Sequence, residues 1–227
     1  MPILGRRSRL PRDLAHLYAD CPLSDRLQVG LRWRTCPFEA VAAFAPSSGE
    51  VLDLGCGRGL LANLLALRSP SRRVSGLDPD PRRIETARRT VGARTNVAFR
   101  AGEAPPPGER FGAILLVDVL YLLADDRRRR LLASCRGALA AGGVLLVKTM
   151  ARRPRWKAAI DRLQESLAVL ALGWTRGETI VPPDPAVLAR ELEDLEFRVT
   201  TVPLDRGFPH PHVLFAAALS PSGGARP

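Results

Sequence analysis

The chain has 227 residues, 46% hydrophobic and 25% charged, enough for one globular domain with a modest extension and a sizeable buried core. Its four cysteines, Cys21, Cys36, Cys56 and Cys135, form no C-x-x-C pair, which argues against a zinc site or a disulfide frame and fits reduced thiols in the cytoplasm. The formal net charge of +11 is nearly all arginine, lysine occurring only at Lys148 and Lys157; codon bias toward arginine explains it more simply than a polyanionic partner.

Residues 1 to about 12 are rich in arginine and proline, lack the apolar core of a signal peptide and read as poorly ordered. From Pro11 to about Phe44 the pattern predicts two or three short helices broken at Pro22 and Pro37. Tyr18, Leu27, Leu31, Trp33, Phe38, Val41 and Phe44 give them an apolar face, so they read as a lid that ends at the turn Pro46-Ser47-Ser48-Gly49.

The most informative stretch follows, Glu50-Val51-Leu52-Asp53-Leu54-Gly55-Cys56-Gly57-Arg58-Gly59. A short apolar strand enters a turn with three glycines, and Gly59 to Leu65 then reads as a helix. Such glycines permit a sharp strand-to-helix turn and close approach of backbone to a ligand. The spacing is G-x-G-x-G rather than the dinucleotide G-x-G-x-x-G, and a carboxylate, Asp53, stands just ahead of it. A buried carboxylate needs a cation or hydrogen-bond donors. An ammonium and a sulfonium would satisfy it, and a pyrophosphate would be repelled.

Strands and helices then alternate, as in a parallel sheet covered on both faces. Arg73 to Leu77 is a strand ending at Asp78; Asp80-Pro81 caps a helix running to about Val91; Asn96 to Arg100 is a strand ending at Gly102-Glu103. Phe111 to Val117 reads as a central strand ending at Asp118, which also interrupts the best membrane-spanning candidate, Phe111 to Ala124. Asp125 and Asp126 open a helix that Gly142-Gly143 is expected to close, before a fifth strand from Val144 to Lys148. Trp156, Ile160, Leu163, Leu167 and Leu170 predict a helix over about 154–172. Asp184-Pro185 starts another, and Phe197 to Leu204 with His212 to Leu219 form a terminal hairpin.

This order of elements resembles the class I S-adenosylmethionine-dependent methyltransferases over roughly residues 46 to 219. The resemblance implies an α/β, Rossmann-like three-layer sandwich with a seven-stranded, mostly parallel sheet and a reversed last strand, plus the N-terminal helical lid. The expected organisation is an arm and lid over 1–45, a methyltransferase domain over 46–220 and a flexible tail over 221–227.

It further implies that Gly55, Cys56, Gly57 and Gly59 pass under the methionine part of S-adenosylmethionine, and that Asp53 holds its amino group. Asp78, followed by Pro79, would accept hydrogen bonds from both ribose hydroxyls. Glu103 and Ala104 would read the adenine, and Asp118 would lie beside the methyl-bearing sulfur. Where many relatives have a glycine before an aromatic, this chain has Glu196-Phe197.

The acceptor is less legible. After the fourth strand stands Asp118-Val119-Leu120-Tyr121 rather than the Asn/Asp-Pro-Pro-aromatic run of amino-methylating nucleic-acid enzymes, and Cys135 lies mid-helix rather than in a Pro-Cys nucleophile. Lys148 to Arg152 supplies no hard oxygen side-chain ligands, so no metal is expected. A basic rim (Lys148, Arg152, Arg155) and an apolar lid with Tyr18, Arg32 and Arg34, with Tyr121 alongside, point to an anionic or hydrophobic lipid or natural-product-type small molecule. His210 and His212 are the candidate general bases near neutral pH, with Asp118 a further catalytic candidate. The run Arg127 to Arg130 reads as a solvated face. The alternatives are an RNA methyltransferase, nucleic acid being the less favoured partner, and a non-catalytic S-adenosylmethionine-binding protein of the same fold.

Overall fold

A computed structural model describes residues 9–150, 183–204, 207–208 and 211–219. The segment before the sheet forms three helices, α1 (Arg12–His16), α2 (Leu23–Thr35) and α3 (Phe38–Ala42). Pro22 and Pro37 stand at the N-caps of α2 and α3, as the breaks in the sequence predict. Seven strands follow: β1 (Gly49–Leu54), β2 (Arg72–Asp78), β3 (Val97–Ala101), β4 (Phe111–Val117), β5 (Leu139–Met150), β6 (Phe197–Pro203) and β7 (His212–Leu219). Between them lie α4 (Leu60–Arg68), α5 (Pro81–Arg89), a 3-10 turn (Leu120–Leu122), α6 (Asp125–Ala138) and α7 (Pro185–Asp194).

The strands form one sheet in the order β3-β2-β1-β4-β5-β7-β6. The first five are parallel, and β7 runs antiparallel to both β5 and β6. The expected α/β sandwich with a reversed last strand is therefore the observed one. Chain order reverses between β1 and β4, and the chain leaves their carboxyl ends toward α4 on one face and α6 on the other, which opens the crevice where ligands bind in such sheets.

Each face of the sheet buries its own core. Val51, Val74, Ala113, Leu115, Leu146 and Leu214 pack against α4, α5 and the N-terminal helices, while Leu52, Ile114, Leu116, Leu145 and Phe215 pack against α6 and α7. Leu14, Val29, Trp33, Phe38 and Val41 belong to the first of these cores. Each such side chain contributes roughly 1.5–3 kcal/mol when fully buried, so α1–α3 are built into the domain rather than resting on it. Buried polar contacts fix their position. Asp25 of α2 accepts from Arg58 Nε at 2.7 Å and from Thr86 Oγ1 at 2.7 Å.

Two expectations are corrected. Gly142-Gly143 does not cap α6; the helix ends at Ala138, and Leu139 is already extended and paired with Phe111. The register then shifts, so that Ala113 faces Val144, and Gly142 adopts φ +73° within the irregularity. A Cβ at Gly143 would lie 2.9 Å from the Ala140 carbonyl oxygen and 3.0 Å from that of Phe111, so the glycine pair serves a bulge instead.

The Arg127–Arg130 run is likewise not uniformly solvated. Arg128 is buried, donates to both carboxylate oxygens of Glu191 on α7 at 2.9 and 2.7 Å, and also donates to Asp125 at 2.8 Å. It locks α6 to α7. The helix expected over 154–172 and the tail over 221–227 lie outside the described residues.

Candidate functional site

β1 carries Asp53 to the carboxyl edge of the sheet, where it is 2% exposed. Its Oδ2 accepts the Ala62 backbone N–H at 3.1 Å, in the first turn of α4, where the helix dipole favours an anion. Burial nevertheless dominates and, with Asp78 nearby, pushes the Asp53 carboxyl up to about 7. A cation placed against it would restore the ionised form.

The glycine turn is fastened to β2. Gly55 and Cys56 donate their backbone N–H groups to the Leu77 carbonyl at 2.7 and 2.9 Å, and Gly57 N–H donates to Asp78 Oδ2 at 2.9 Å. The other oxygen of Asp78 accepts from Asp80 N–H at 2.9 Å, which leaves lone pairs on both oxygens for a ligand. Gly55 and Gly57 have φ of +81° and +55°. A Cβ at Gly57 would meet nothing within 4 Å, whereas one at Gly59 would lie 2.6 Å from the Phe99 ring. Gly57 thus presents bare backbone to open space, and Gly59 is needed for packing of α4 on β3.

These elements border a cavity of about 770 Å³. Asp53, Gly55, Cys56, Gly57, Asp78, Pro79, Glu103, Ala104, Asp118 and Tyr121 all line it, so the sequence-selected acids at the carboxyl ends of β1, β2, β3 and β4 converge on one space. Gly59 does not line it. Glu103 is exposed and ion-paired with Arg127 at 3.2 Å. The Cys56 thiol is held above its ordinary range by burial and by Asp53 and Asp78.

At the β4 end, Asp118 adopts φ +60° and is buried. Both its oxygens accept from Lys148 Nζ, at 2.7 and 2.8 Å, and Oδ2 also accepts from Arg32 Nη2 at 3.1 Å. Burial pushes this carboxyl up, but the Lys148 and Arg32 cations outweigh it and hold the group at about 2. A carboxylate held so acidic stays ionised near neutral pH. Arg32 lines the cavity from α2, with its guanidinium 5.6 Å from the Phe38 ring centroid.

Other expectations also change. Lys148 lies inside β5, 1% exposed, and is bound to Asp118 rather than standing on a basic rim. The Tyr18 hydroxyl donates to the Arg58 carbonyl at 2.9 Å and accepts from Asn63 Nδ2 at 3.1 Å, behind the glycine turn and away from the cavity. Arg34 is exposed and does not line the cavity. His212, the first residue of β7, is 3% exposed, packs edge-on against Phe208 at 5.5 Å and is not among the lining residues. His210, Arg152 and Arg155 lie outside the described residues. Among the described residues, no three His, Cys, Asp or Glu side chains gather as a metal site, and no helix is long and apolar enough to cross a membrane.

Sequence reading missed the lining residues Gln28, Val29, Arg83, Arg127 and Arg130. Arg127, Arg130, Leu131 and Ser134 fall at i, i+3, i+4 and i+7 on α6, a spacing that marks one helix face and was readable in principle.

Residues 51–143 match the family model described as a methyltransferase domain. The trans-aconitate 2-methyltransferase of Paracidovorax citrulli is 37% identical over 122 residues, covering 51% of this chain and 45% of that protein. The ubiquinone biosynthesis O-methyltransferase of Cereibacter sphaeroides is 31% identical over 165 residues, covering 69% of this chain and 62% of that one. The chain thus spans only 45% and 62% of these two curated relatives.

Among solved structures, an O-methyltransferase family protein from Burkholderia thailandensis superposes with a TM-score of 0.69 at 19% identity, over 92% of this chain and 63% of that one. Magnesium protoporphyrin IX methyltransferase from Synechocystis PCC 6803 superposes with a TM-score of 0.64 at 16% identity, over 92% and 93%. These two likenesses concern the fold. The matched domain is the segment that builds the glycine turn and its flanking strands, and by that domain the chain belongs to the class I S-adenosylmethionine-dependent methyltransferase family.

Proposed function

We propose that the protein transfers a methyl group from S-adenosylmethionine to a small-molecule acceptor of anionic or hydrophobic character. The observation that carries this reading is the convergence of Asp53, Asp78 and Asp118 on one cavity around a glycine turn at the β1/β4 divide. When bound, S-adenosylmethionine supplies a methyl group activated by its sulfonium and leaves as S-adenosylhomocysteine.

The residues present suit that group. Asp53, buried and short of a cationic partner, matches an ammonium. Asp78, with lone pairs left on both oxygens, matches a ribose diol. Gly55 and Gly57 keep the floor free of side chains, and Glu103 and Ala104 border the end of the cavity beyond Asp78. The chain's contribution is to orient donor and acceptor and to exclude water, which is worth several powers of ten in effective concentration. α2, α3 and the 3-10 turn, through Val29, Arg32, Phe38, Tyr121 and Leu122, would wall the acceptor side. Relatives named for trans-aconitate and for ubiquinone biosynthesis support a small acceptor over a nucleic acid.

Calorimetry with S-adenosylhomocysteine tests the reading. Binding is expected, and Asp78→Ala should weaken it by about tenfold or more, the worth of a charge-assisted hydrogen bond. No binding at millimolar ligand would refute the function, and unchanged affinity in the variant would refute the ribose assignment.

A further inference from the structure

Arg32 enters the cavity from α2 with 30% of its side chain exposed, between the Phe38 ring and Asp118. Asp118 is already held through both oxygens by Lys148 Nζ, at 2.7 and 2.8 Å. One carboxylate therefore stands between two cations, and the cluster carries one positive charge in surplus. That surplus sits on Arg32, the member of the pair that faces the cavity, since Lys148 is fully enclosed. Only one of the five guanidinium N–H donors is taken up by Asp118. The Phe38 ring lies against it, and the same cavity is lined by the apolar Val29, Val117 and Leu122 besides Gln28 and Tyr121. A half-desolvated guanidinium on such a wall favours an anion of matching planar shape and repels a protonated amine.

Deprotonation points the same way. Among the described lining carboxylates, Asp118 is tied to two cations, Glu103 is paired with Arg127, and Asp53 and Asp78 are committed to the donor on the reading above. An acceptor that arrives already ionised needs none of them as a base.

We propose that Arg32 is the anion-binding residue of the acceptor site and that the acceptor is a carboxylate on an apolar body, methylated on oxygen to give an ester. The proposal rests on the methyl-transfer reading. In the step, a carboxylate oxygen lone pair forms the new bond to the methyl carbon, the carbon–sulfur bond breaks with its electron pair returning to sulfur, and no proton is released. The ester no longer carries the charge that Arg32 holds, which favours its departure.

The test is calorimetry on the full chain saturated with S-adenosylhomocysteine, using benzoate, phenol, benzamide and benzylamine as probes. Benzoate is expected to bind at least tenfold tighter than the other three. Arg32→Leu should remove that preference and Arg32→Lys retain part of it, with S-adenosylhomocysteine affinity within about twofold in both; tenfold is the scale of one lost charge-assisted hydrogen bond. Arg32→Leu leaves the Lys148–Asp118 pair intact, and the wild-type preference is a test that needs no variant. Equal binding of benzoate and benzamide, preference for phenol or benzylamine, or an unchanged preference in Arg32→Leu would overturn the proposal. Failure of the wild type to bind S-adenosylhomocysteine would instead overturn the parent reading, and this one with it.

Discussion

Lys148 and Asp118 form a buried pair across the ends of β5 and β4, in which one ammonium contacts both carboxylate oxygens and the lysine side chain has no exposed surface. Breaking such a pair strands a charge in a low-dielectric interior, at about 3–5 kcal/mol. Asp118→Asn, which leaves the enclosed Lys148 ammonium without its carboxylate, should lose stability on that scale in urea unfolding, and Lys148→Met combined with Asp118→Asn should regain much of it. The same pair makes the fold acid-sensitive. Because the folded-state carboxyl lies below its ordinary value, its stabilisation is complete above the ordinary carboxylate range and is lost as pH falls toward about 2.

Asp53 has the opposite sign. Burial and the neighbouring Asp78 raise its carboxyl to about 7, so the ligand-free fold prefers it protonated and loses stability as pH rises from about 4 toward 7. A bound ammonium requires the ionised form. S-adenosylhomocysteine affinity should therefore increase with pH through about 7, with proton release visible as a buffer-dependent heat. Asp53→Asn should weaken binding, abolish that proton release and leave the free protein no less stable at pH 8.

The glycine turn separates conformational strain from collision. At Gly55, φ is +81° and an added Cβ would collide with Val119 Cγ2; at Gly57, φ is +55° and the added Cβ finds open space. Gly57→Ala should cost only the left-handed penalty, about 1–2 kcal/mol. Gly55→Ala adds overpacking of about 1–3 kcal/mol. Thermal unfolding ranks the two, and S-adenosylhomocysteine binding should fall in both.

Arg128 and Glu191 tie α6 to α7 through two hydrogen bonds with both side chains buried. Arg128→Met leaves Glu191 with only the weaker 3.3 Å contact from Arg129 and should destabilise by about 3–5 kcal/mol. Neither residue lines the cavity, so S-adenosylhomocysteine affinity at low temperature should be unchanged.

Asp78 ends β2 on the cavity wall with a lone pair left on each oxygen. Asp118 was found at the right strand end, but its partners were not foreseen, because Arg32 is 86 residues away and Lys148 is 30. Spacing carries no signal across such distances. Lys148 also read as rim because the strand was expected to end there, whereas β5 continues to Met150. At Glu196 the sequence showed a departure from the relatives' glycine, and its φ of +61° shows why glycine suits that turn.

The sequence alone determined the alternating order of strands and helices, the reversed terminal strand, and the acids at the carboxyl ends of β1, β2, β3 and β4 around a glycine turn. All of these depend on local periodicity, capping and turn chemistry, which act over a few residues. Tertiary structure alone decided which charges neutralise one another. It left Tyr18, Arg34, Lys148 and His212 off the cavity wall, buried Arg128, and set Arg32 on that wall against Asp118. Ion pairing is set by distance and desolvation, and neither exists until the chain has closed on itself.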